Sequence, residues 1–306
     1  MKKKILITGG TGFLGINFLR FLRKKNYNLY SLSRKLPERK KRIKNVKYIT
    51  GDLSKKESLK RLNKIEFNYV INLAGNINHK EKTKTFNSHY KGVINLVKIL
   101  NKKNLIKFVQ IGSSVEYGKT KSPQIEPKKI PNNIKIHSIY GQSKLLSTIF
   151  LMKENEKNNF PSVIVRPYLI YGPFQTPDRL IPFTIISCLK KNFFDCSNGI
   201  QSRDFIYVSD AVNSIYKIMK SKHVGKIFNI GSGSKIKVKK IIKYIVKFCK
   251  GGKPLFGKIK LRKDELINLY PSINFVKSNG WRPSVNLLKG LKLTISYYKR
   301  EIIHEK

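Results

Sequence analysis

The amino-acid sequence predicts an α/β protein: a parallel sheet with helices on both faces, followed by a smaller carboxyl-terminal α/β part. Three observations carry this. A short apolar run, Lys4–Thr8, meets the turn Gly9-Gly10-Thr11-Gly12-Phe13-Leu14-Gly15, after which Leu14, Phe18 and Leu22 recur at helical spacing. Strand-like runs then alternate with helical patterns, which argues for right-handed strand–helix–strand crossovers. Small residues follow successive runs (Gly9, Ala74-Gly75, Gly112-Ser113), placing a binding crevice outside the strand carboxyl ends.

In that turn Gly9 permits the tight bend, Gly12 lets a pyrophosphate approach the backbone, and Gly15 lets helix and strand pack closely. The helix that follows offers free N–H groups to phosphate. A second strand, 29–33, ends in Ser33-Arg34-Lys35. A site for NAD places an acid there to hold the ribose 2′-hydroxyl, whereas arginine accommodates a 2′-phosphate, so the cofactor indicated is NADP, with NAD as the alternative. The third strand, Val46–Thr50, leads to Gly51-Asp52-Leu53 and to Ser54-Lys55-Lys56-Glu57, a capping-box pattern that opens a helix. Asp52 caps that turn or hydrogen-bonds an adenine amino group.

A fourth strand, 69–73, a helix from about 86 to 102 and a fifth strand, Lys107–Ile111, deliver Gly112 and Ser113 to the sheet edge. Beyond them come a helix over 139–150, a strand over 162–166 and the turn Tyr171-Gly172-Pro173. An apolar helix opens at Arg179 and runs to about 190. A short strand spans 203–208, Asp210 opens a helix, and 226–231 is a late strand of the sheet. A terminal helix follows Gly280-Trp281-Arg282-Pro283.

The 306 residues amount to roughly two domains. No stretch approaches the ~20 uninterrupted apolar residues of a membrane helix. The start, Met1-Lys2-Lys3-Lys4-Ile5-Leu6-Ile7, imitates a signal peptide but breaks at once into Thr8-Gly9-Gly10, as a buried strand does. Cys188, Cys196 and Cys249 are odd in number and lack metal-ligand spacing, which points to a reduced cytoplasmic protein without a metal. The formal charge is +47, from 64 Lys and Arg against 17 Asp and Glu, and is densest over 34–47 and 235–263. One reading is a partner such as nucleic acid or an anionic membrane. The other is the Lys-, Asn- and Ile-rich bias of an AT-rich genome. The second is adopted, because the basic runs lack the regularly interleaved aromatics of single-strand binding surfaces.

The chemistry centres on Ser138-Ile139-Tyr140-Gly141-Gln142-Ser143-Lys144, read with Gly112-Ser113-Ser114. On a helix Tyr140 and Lys144 share one face. A phenol ionises near pH 10, and an ammonium one turn away stabilises its phenolate and draws that value toward neutrality. Ser113 could hydrogen-bond the same substrate oxygen. A solvated helix face is the alternative for this pair, so the hydride carrier must come from elsewhere in the chain.

Several ordered motifs together resemble the extended short-chain dehydrogenase/reductase family across nearly the whole length. They are the glycine turn with Thr8, Gly51-Asp52-Leu53, Asn72-Leu73-Ala74-Gly75, and Gly112-Ser113-Ser114-Val115-Glu116-Tyr117-Gly118. Tyr140-Gly141-Gln142-Ser143-Lys144, Arg166-Pro167 with Tyr171-Gly172-Pro173, and Arg203-Asp204-Phe205-Ile206-Tyr207-Val208 complete the set. The resemblance implies a Rossmann-type NAD(P)-binding domain over 1–170 with about 203–232. A nucleotide-sugar-binding domain would take about 171–202 and 233–306, and the expected assembly is a homodimer. It assigns Tyr140 as acid/base, Lys144 as ribose ligand and pKa modulator, and Ser113 as the substrate hydroxyl partner. The cofactor would meet Gly9, Thr11, Gly12, Phe13, Leu14, Gly15, Ser33, Arg34, Leu73, Ala74, Gly75, Tyr140, Lys144 and Pro167, with Asp52 and Leu53 flanking adenine. Ser113, Ser114 and Arg203 would contact substrate, Arg203 at its diphosphate; Arg179 reads by its charge as a second diphosphate clamp or as ordinary surface charge.

Two positions depart from the family pattern: His89 and Leu169 stand where Asn is common. The second removes a common substrate contact. Sugar 4,6-dehydratases of the family carry an Asp-Glu pair directly after the residue matching Ser113. Here those positions are Ser114 and Val115, with Glu116 displaced by one and expected to point away, so dehydration is disfavoured. What remains is a 4-epimerase that keeps NAD bound or a 4-ketoreductase that spends NADPH. The Gly-Ser-Ser-x-Glu-Tyr-Gly form and Arg34-Lys35 are similar to nucleotide-sugar 4-ketoreductases such as CDP-abequose synthase-like members, which favours reduction.

Overall fold

The computed structural model describes residues 2–76, 78, 80–261 and 265–304, so Met1 and the end of the 235–263 basic run, Arg262 and Lys263, lie outside the described residues. In chain order the first elements are β1 (Lys4–Thr8), α1 (Phe13–Leu22), β2 (Asn28–Ser33), β3 (Val46–Thr50), α2 (Lys60–Asn63) and β4 (Tyr69–Asn72). Next come α3 (Lys82–Phe86), α4 (Gly92–Ile99), β5 (Lys107–Ile111), α5 (Ile139–Asn158), β6 (Ser162–Pro167), β7 (Leu169–Tyr171), α6 (Leu180–Leu189), β8 (Phe193–Cys196), β9 (Ser202–Arg203) and β10 (Phe205–Tyr207). The last are α7 (Val208–Lys220), β11 (Lys226–Ile230), β12 (Ile236–Lys237), α8 (Val238–Cys249), β13 (Lys253–Phe256), β14 (Asn268–Leu269), α9 (Asn274–Ser278) and α10 (Leu287–His304).

Seven strands form one sheet in the order β11-β6-β5-β4-β1-β2-β3, and the pairs from β6 through β3 are parallel. The order reverses between β1 and β4, and ligands of such sheets bind outside the strand carboxyl ends at this switch point. The strands read as nearly unbroken apolar runs because both faces are covered. On one face Leu6, Val70, Phe108 and Ile164 join Val93, Leu96 and Val97 of α4 and Leu151 of α5. Ile5, Ile7, Ile71 and Val109, one residue out of step, are buried on the other. There Phe21 of α1 meets Tyr216 of α7 edge-on at 5.2 Å.

The described chain divides into two compact units. One comprises Met1–Lys119, Glu126–Pro167 and Val212–Phe228, the other Thr120–Ile125, Tyr168–Ala211 and Asn229–Lys306. In the second unit β7 pairs with β10, β9 lies between β12 and β14, and β8 pairs with β13. Its helix α8 buries Val238, Ile241, Ile242 and Ile245, at the i, i+3, i+4, i+7 spacing of an amphipathic helix, and leaves Lys239, Lys240, Lys243 and Lys247 in water. Among the described residues no helix is long and apolar enough to cross a membrane.

The structure corrects several sequence expectations. The helix expected over 86–102 is helical from 82 to 99, with a π-helical turn at Asn87–Lys91; its polar start, Lys-Thr-Lys-Thr, has no apolar period to read. The helix expected over 139–150 continues to Asn158, through a polar stretch, and ends at Asn159 in the left-handed conformation (φ 51°). The capping box at Ser54–Glu57 does not form. The Ser54 hydroxyl donates to Asp52 Oδ1 at 2.7 Å, and Glu57 pairs with Lys60 at 2.5 Å. The strand expected over 203–208 breaks at Asp204, whose buried carboxylate accepts from Ser232 N (2.7 Å) and Ser234 N (3.1 Å), sending β9 and β10 to different sheets. Asp210 sits inside α7 rather than opening it, and accepts from Ser284 N, Ser284 Oγ and Val285 N.

Candidate active site

The glycine turn is built by backbone bonds. Gly9, at φ +66°, donates to Leu32 O (2.8 Å), and Gly12 N donates back to Gly9 O (3.0 Å). A Cβ on Gly15 would lie 2.3 Å from Gly9 O and 2.6 Å from Gly10 Cα, so the fold itself requires glycine there. Gly12 differs: a Cβ would meet only Gly9 O, at an ordinary 3.4 Å. The bare backbone at Gly12 therefore leaves room for something outside the chain. Among the described residues no side chain caps α1, so its amino-terminal N–H groups face the same space beside Thr11, Phe13 and Leu14. These features fit a dinucleotide pyrophosphate.

One buried polar chain crosses the strand ends. Thr8 Oγ1 donates to Asn72 Oδ1 (2.5 Å), Asn72 Nδ2 to Gln110 Oε1 (2.7 Å), and Gln110 Nε2 to Ile111 O (3.0 Å). Thr8, Asn72 and Gln110 are direct cross-strand partners on β1, β4 and β5. The Lys144 ammonium joins at the far end, donating to Ile111 O at 2.6 Å. Burial holds its pKa down to about 8 from its ordinary 10.5, and the Glu116 carboxylate acts in the opposite direction. Its Nζ lies 5.9 Å from the centre of the Tyr140 ring, so α5 places both groups as the four-residue spacing predicts.

The sign of that shift gives a pH prediction. The Lys144 ammonium is intact below about pH 8 and lost above it. With cofactor saturating, kcat/KM should therefore fall as pH rises through about 8, and a profile flat from pH 7 to 10 would contradict the role given to Lys144. Stability moves oppositely: an amine with a depressed pKa burdens the folded state below about 8 and is relieved as pH climbs toward 10.5.

Ser113 caps a 3-10 turn, Ser114–Tyr117. Its N–H donates to Glu116 Oε1 at 2.7 Å, while Glu116 Oε2 accepts from Thr148 Oγ1 (2.6 Å) and Arg166 Nε (3.0 Å). Glu116 thus points into the protein, as expected. The amino-terminal end of α5 packs on this turn: a Cβ at Gly141 would touch Val115 Cγ2 at 3.4 Å and collide with Ile136 at 2.6 Å. Ser138 Oγ accepts from Gly141 N and caps the helix. His89, on the π-helical turn, meets the Tyr140 ring edge-on at 5.1 Å and occupies the space a Gly75 Cβ would fill.

The other expected cofactor residues take varied positions. Asp52 uses Oδ1 to cap its own turn, from Ser54 N and Oγ, and Oδ2 carries no hydrogen bond among the described residues, so capping and an adenine contact are compatible. Leu53 is buried, and its carbonyl accepts from Asn95. Ser33 Oγ donates to Lys35 O (2.8 Å), while Arg34 is exposed at the strand end. Leu73 N and Ala74 N bond to Thr8 O and Thr8 Oγ1. Gly75 is half-buried, Ser114 is buried, and Pro167 closes β6. In the second unit Arg179 is exposed at the start of α6, beside Asp178. Arg203 is buried and ion-paired with Glu265.

Sequence reasoning missed the Thr8–Asn72–Gln110 chain and the partners of Glu116. A signal existed for the first: each apolar strand carries one polar residue within two positions of its carboxyl end. For Glu116 the signal was partial: Ser113-Ser114-Val115-Glu116 is a capping-box pattern, and the box forms, but the other partners come from 32 and 50 residues away.

Residues 5–231 match the model of the NAD dependent epimerase/dehydratase family. The chain is 28% identical to human dTDP-D-glucose 4,6-dehydratase, over 99% of this chain and 91% of that one. It is 27% identical to a putative UDP-glucose 4-epimerase of Methanocaldococcus jannaschii, over 96% and 98%. The structure of UDP-glucose 4-epimerase from Thermotoga maritima with UDP-glucose superposes with a TM-score of 0.89 at 23% identity, covering 98% of this chain and 99% of that one.

Proposed function

The chain belongs to the NAD-dependent epimerase/dehydratase family of extended short-chain dehydrogenases/reductases, and from that premise we propose that it reduces the 4-keto group of a nucleotide-activated 6-deoxyhexose with NADPH. The observation that carries the chemistry is the buried Lys144 ammonium, set against Tyr140 and fixed on the carbonyl of Ile111, which lies two residues before Ser113. Gly9, Gly12 and the amino-terminal N–H groups of α1 would hold a nicotinamide dinucleotide, which would supply the hydride. Tyr140 gives its phenolic proton to the carbonyl oxygen at carbon 4, leaving a phenolate that the Lys144 charge stabilises. Ser113 donates a hydrogen bond to the same oxygen, stabilising the charge that develops there. The Thr8–Asn72–Gln110 chain holds Ile111 O, and through it the lysine, in place.

Dehydration, the activity in the name of the human relative, is disfavoured by Ser114 and Val115 and by the engagement of Glu116 with Arg166. Epimerisation is the second reading, favoured by the likeness to a putative 4-epimerase. The Ser33-Arg34-Lys35 end, with two cations and no acid, supports reduction. One charge-assisted bond to a 2′-phosphate contributes roughly 1.5–3 kcal/mol, which is about tenfold in affinity or more. The purified protein should therefore bind NADPH at least about tenfold more tightly than NADH and carry no nucleotide as isolated. Tightly retained NAD with no gain from the 2′-phosphate would move the assignment to the epimerase. A scaffold for RNA or anionic membrane, the remaining class, would bind them tightly at physiological salt and turn over no nucleotide sugar.

A further inference from the structure

We infer that Glu116 is a positioning residue that locks the Ser113 turn to the helix carrying Tyr140 and Lys144. The inference rests on the proposed reaction. The side chain is fully buried, and its two oxygens receive donors from three separate elements. Oε1 accepts from the backbone N–H of Ser113 at 2.7 Å. Oε2 accepts from Thr148 of α5 at 2.6 Å and from Arg166 Nε of β6 at 3.0 Å, with the Arg166 Nη2 at an ion-pair distance of 2.9 Å. Thr148 lies one helical turn beyond Lys144 and two beyond Tyr140, on the same face. The chain accommodates the carboxylate at a visible cost in freedom, since a Cβ at Gly112 would lie 2.3 Å from Oε1.

An ion pair this deep is weak evidence of stability, because well-packed apolar side chains of similar volume serve as well or better. Its geometry has a different use. A serine hydroxyl and a tyrosine hydroxyl that share one substrate oxygen must keep their spacing, and a misplacement of about 1 Å costs on the order of 10²-fold in rate. Glu116 joins the two segments that carry them. The titratable and charged groups facing this network, among the described residues, are Arg166, Tyr117, Lys144 and Tyr140, with His89 behind Tyr140.

The test uses the whole chain in two variants. Glu116→Gln keeps the volume but presents an amide NH₂ where only donors converge. It should lower kcat by ~10–100-fold with the cofactor dissociation constant unchanged. It should also lower the Lys144 titration midpoint, followed by NMR of labelled lysine on the resting protein, its resonance identified by loss in Lys144→Met. Thr148→Val removes a single hydroxyl from the same site and keeps the question decidable if Glu116→Gln does not fold; its kcat should fall several-fold at wild-type cofactor affinity. Wild-type kcat and an unmoved Lys144 midpoint in Glu116→Gln, or wild-type kcat in Thr148→Val, overturn the inference. If the native chain turns over no nucleotide sugar, the proposed reaction fails instead, and the Lys144 midpoint in Glu116→Gln still decides for or against Glu116.

Discussion

Tyr140→Phe should bind NADPH as the native chain does and lose turnover by about 10²–10⁴-fold, the contribution of a positioned acid/base group. Only the hydroxyl is removed. The ring keeps its edge contact with His89 at 5.1 Å and its place 5.9 Å from the Lys144 ammonium, so α5 and the cofactor face have no reason to move. The loss should fall on kcat, because the proton is transferred in the transition state and not in the bound ground state. Steady-state kinetics beside a cofactor titration separate the two. Unchanged turnover would remove Tyr140 from the chemistry, and weakened NADPH binding would make its role structural.

Gly15→Ala should weaken both the fold and the cofactor site, whereas Gly12→Ala should weaken only the second. Alanine in a helix gains about 1 kcal/mol over glycine. Against this, a Gly15 Cβ would press on backbone, 2.3 Å from Gly9 O, 2.6 Å from Gly10 Cα and 2.8 Å from Gly10 C, and backbone cannot rotate away. Overpacking of this kind costs roughly 1–3 kcal/mol, enough to exceed the helical gain. Shifting Gly9 O also loosens the bond from Gly12 N that shapes the turn. Losing one charge-assisted bond to phosphate then raises the NADPH dissociation constant about tenfold or more. At Gly12 the added carbon meets only Gly9 O at 3.4 Å, so chemical denaturation should match the native chain while NADPH affinity falls. Native stability and affinity in Gly15→Ala would contradict the packing described for the turn.

The sheet was legible in the sequence because its strands are apolar and bounded by glycine or polar turns, and β1, β3 and β5 fall at their expected limits. The pairing of Tyr140 with Lys144 was legible for a local reason, since a four-residue spacing on a helix fixes a shared face. What escaped was polar and non-local. The Lys82–Phe86 start of its helix and the 151–158 extension of α5 carry few apolar residues to mark them. Ser54 looked like a helix cap, but the neighbouring Asp52 carboxylate is the stronger acceptor and took its hydroxyl. The break at Asp204 depends on backbone N–H groups some 28 residues later, which no periodicity reveals. Glu116 could be recognised as displaced from the dehydratase position. That Thr148 and Arg166 share its oxygens with Ser113 became visible only with the fold.

Reduction and epimerisation leave different isotopic records, and one incubation distinguishes them. Supplying the protein with NADPH deuterated at the transferable position, together with a panel of nucleotide 4-keto-6-deoxyhexoses and nucleotide 4-hydroxyhexoses, should convert at least one 4-keto sugar to a 4-hydroxy product. Mass spectrometry should find one deuterium at carbon 4, with one NADPH oxidised per product formed. Interconversion of 4-hydroxy sugars with no net oxidation of NADPH and no deuterium in the product would contradict the reductase and establish the epimerase.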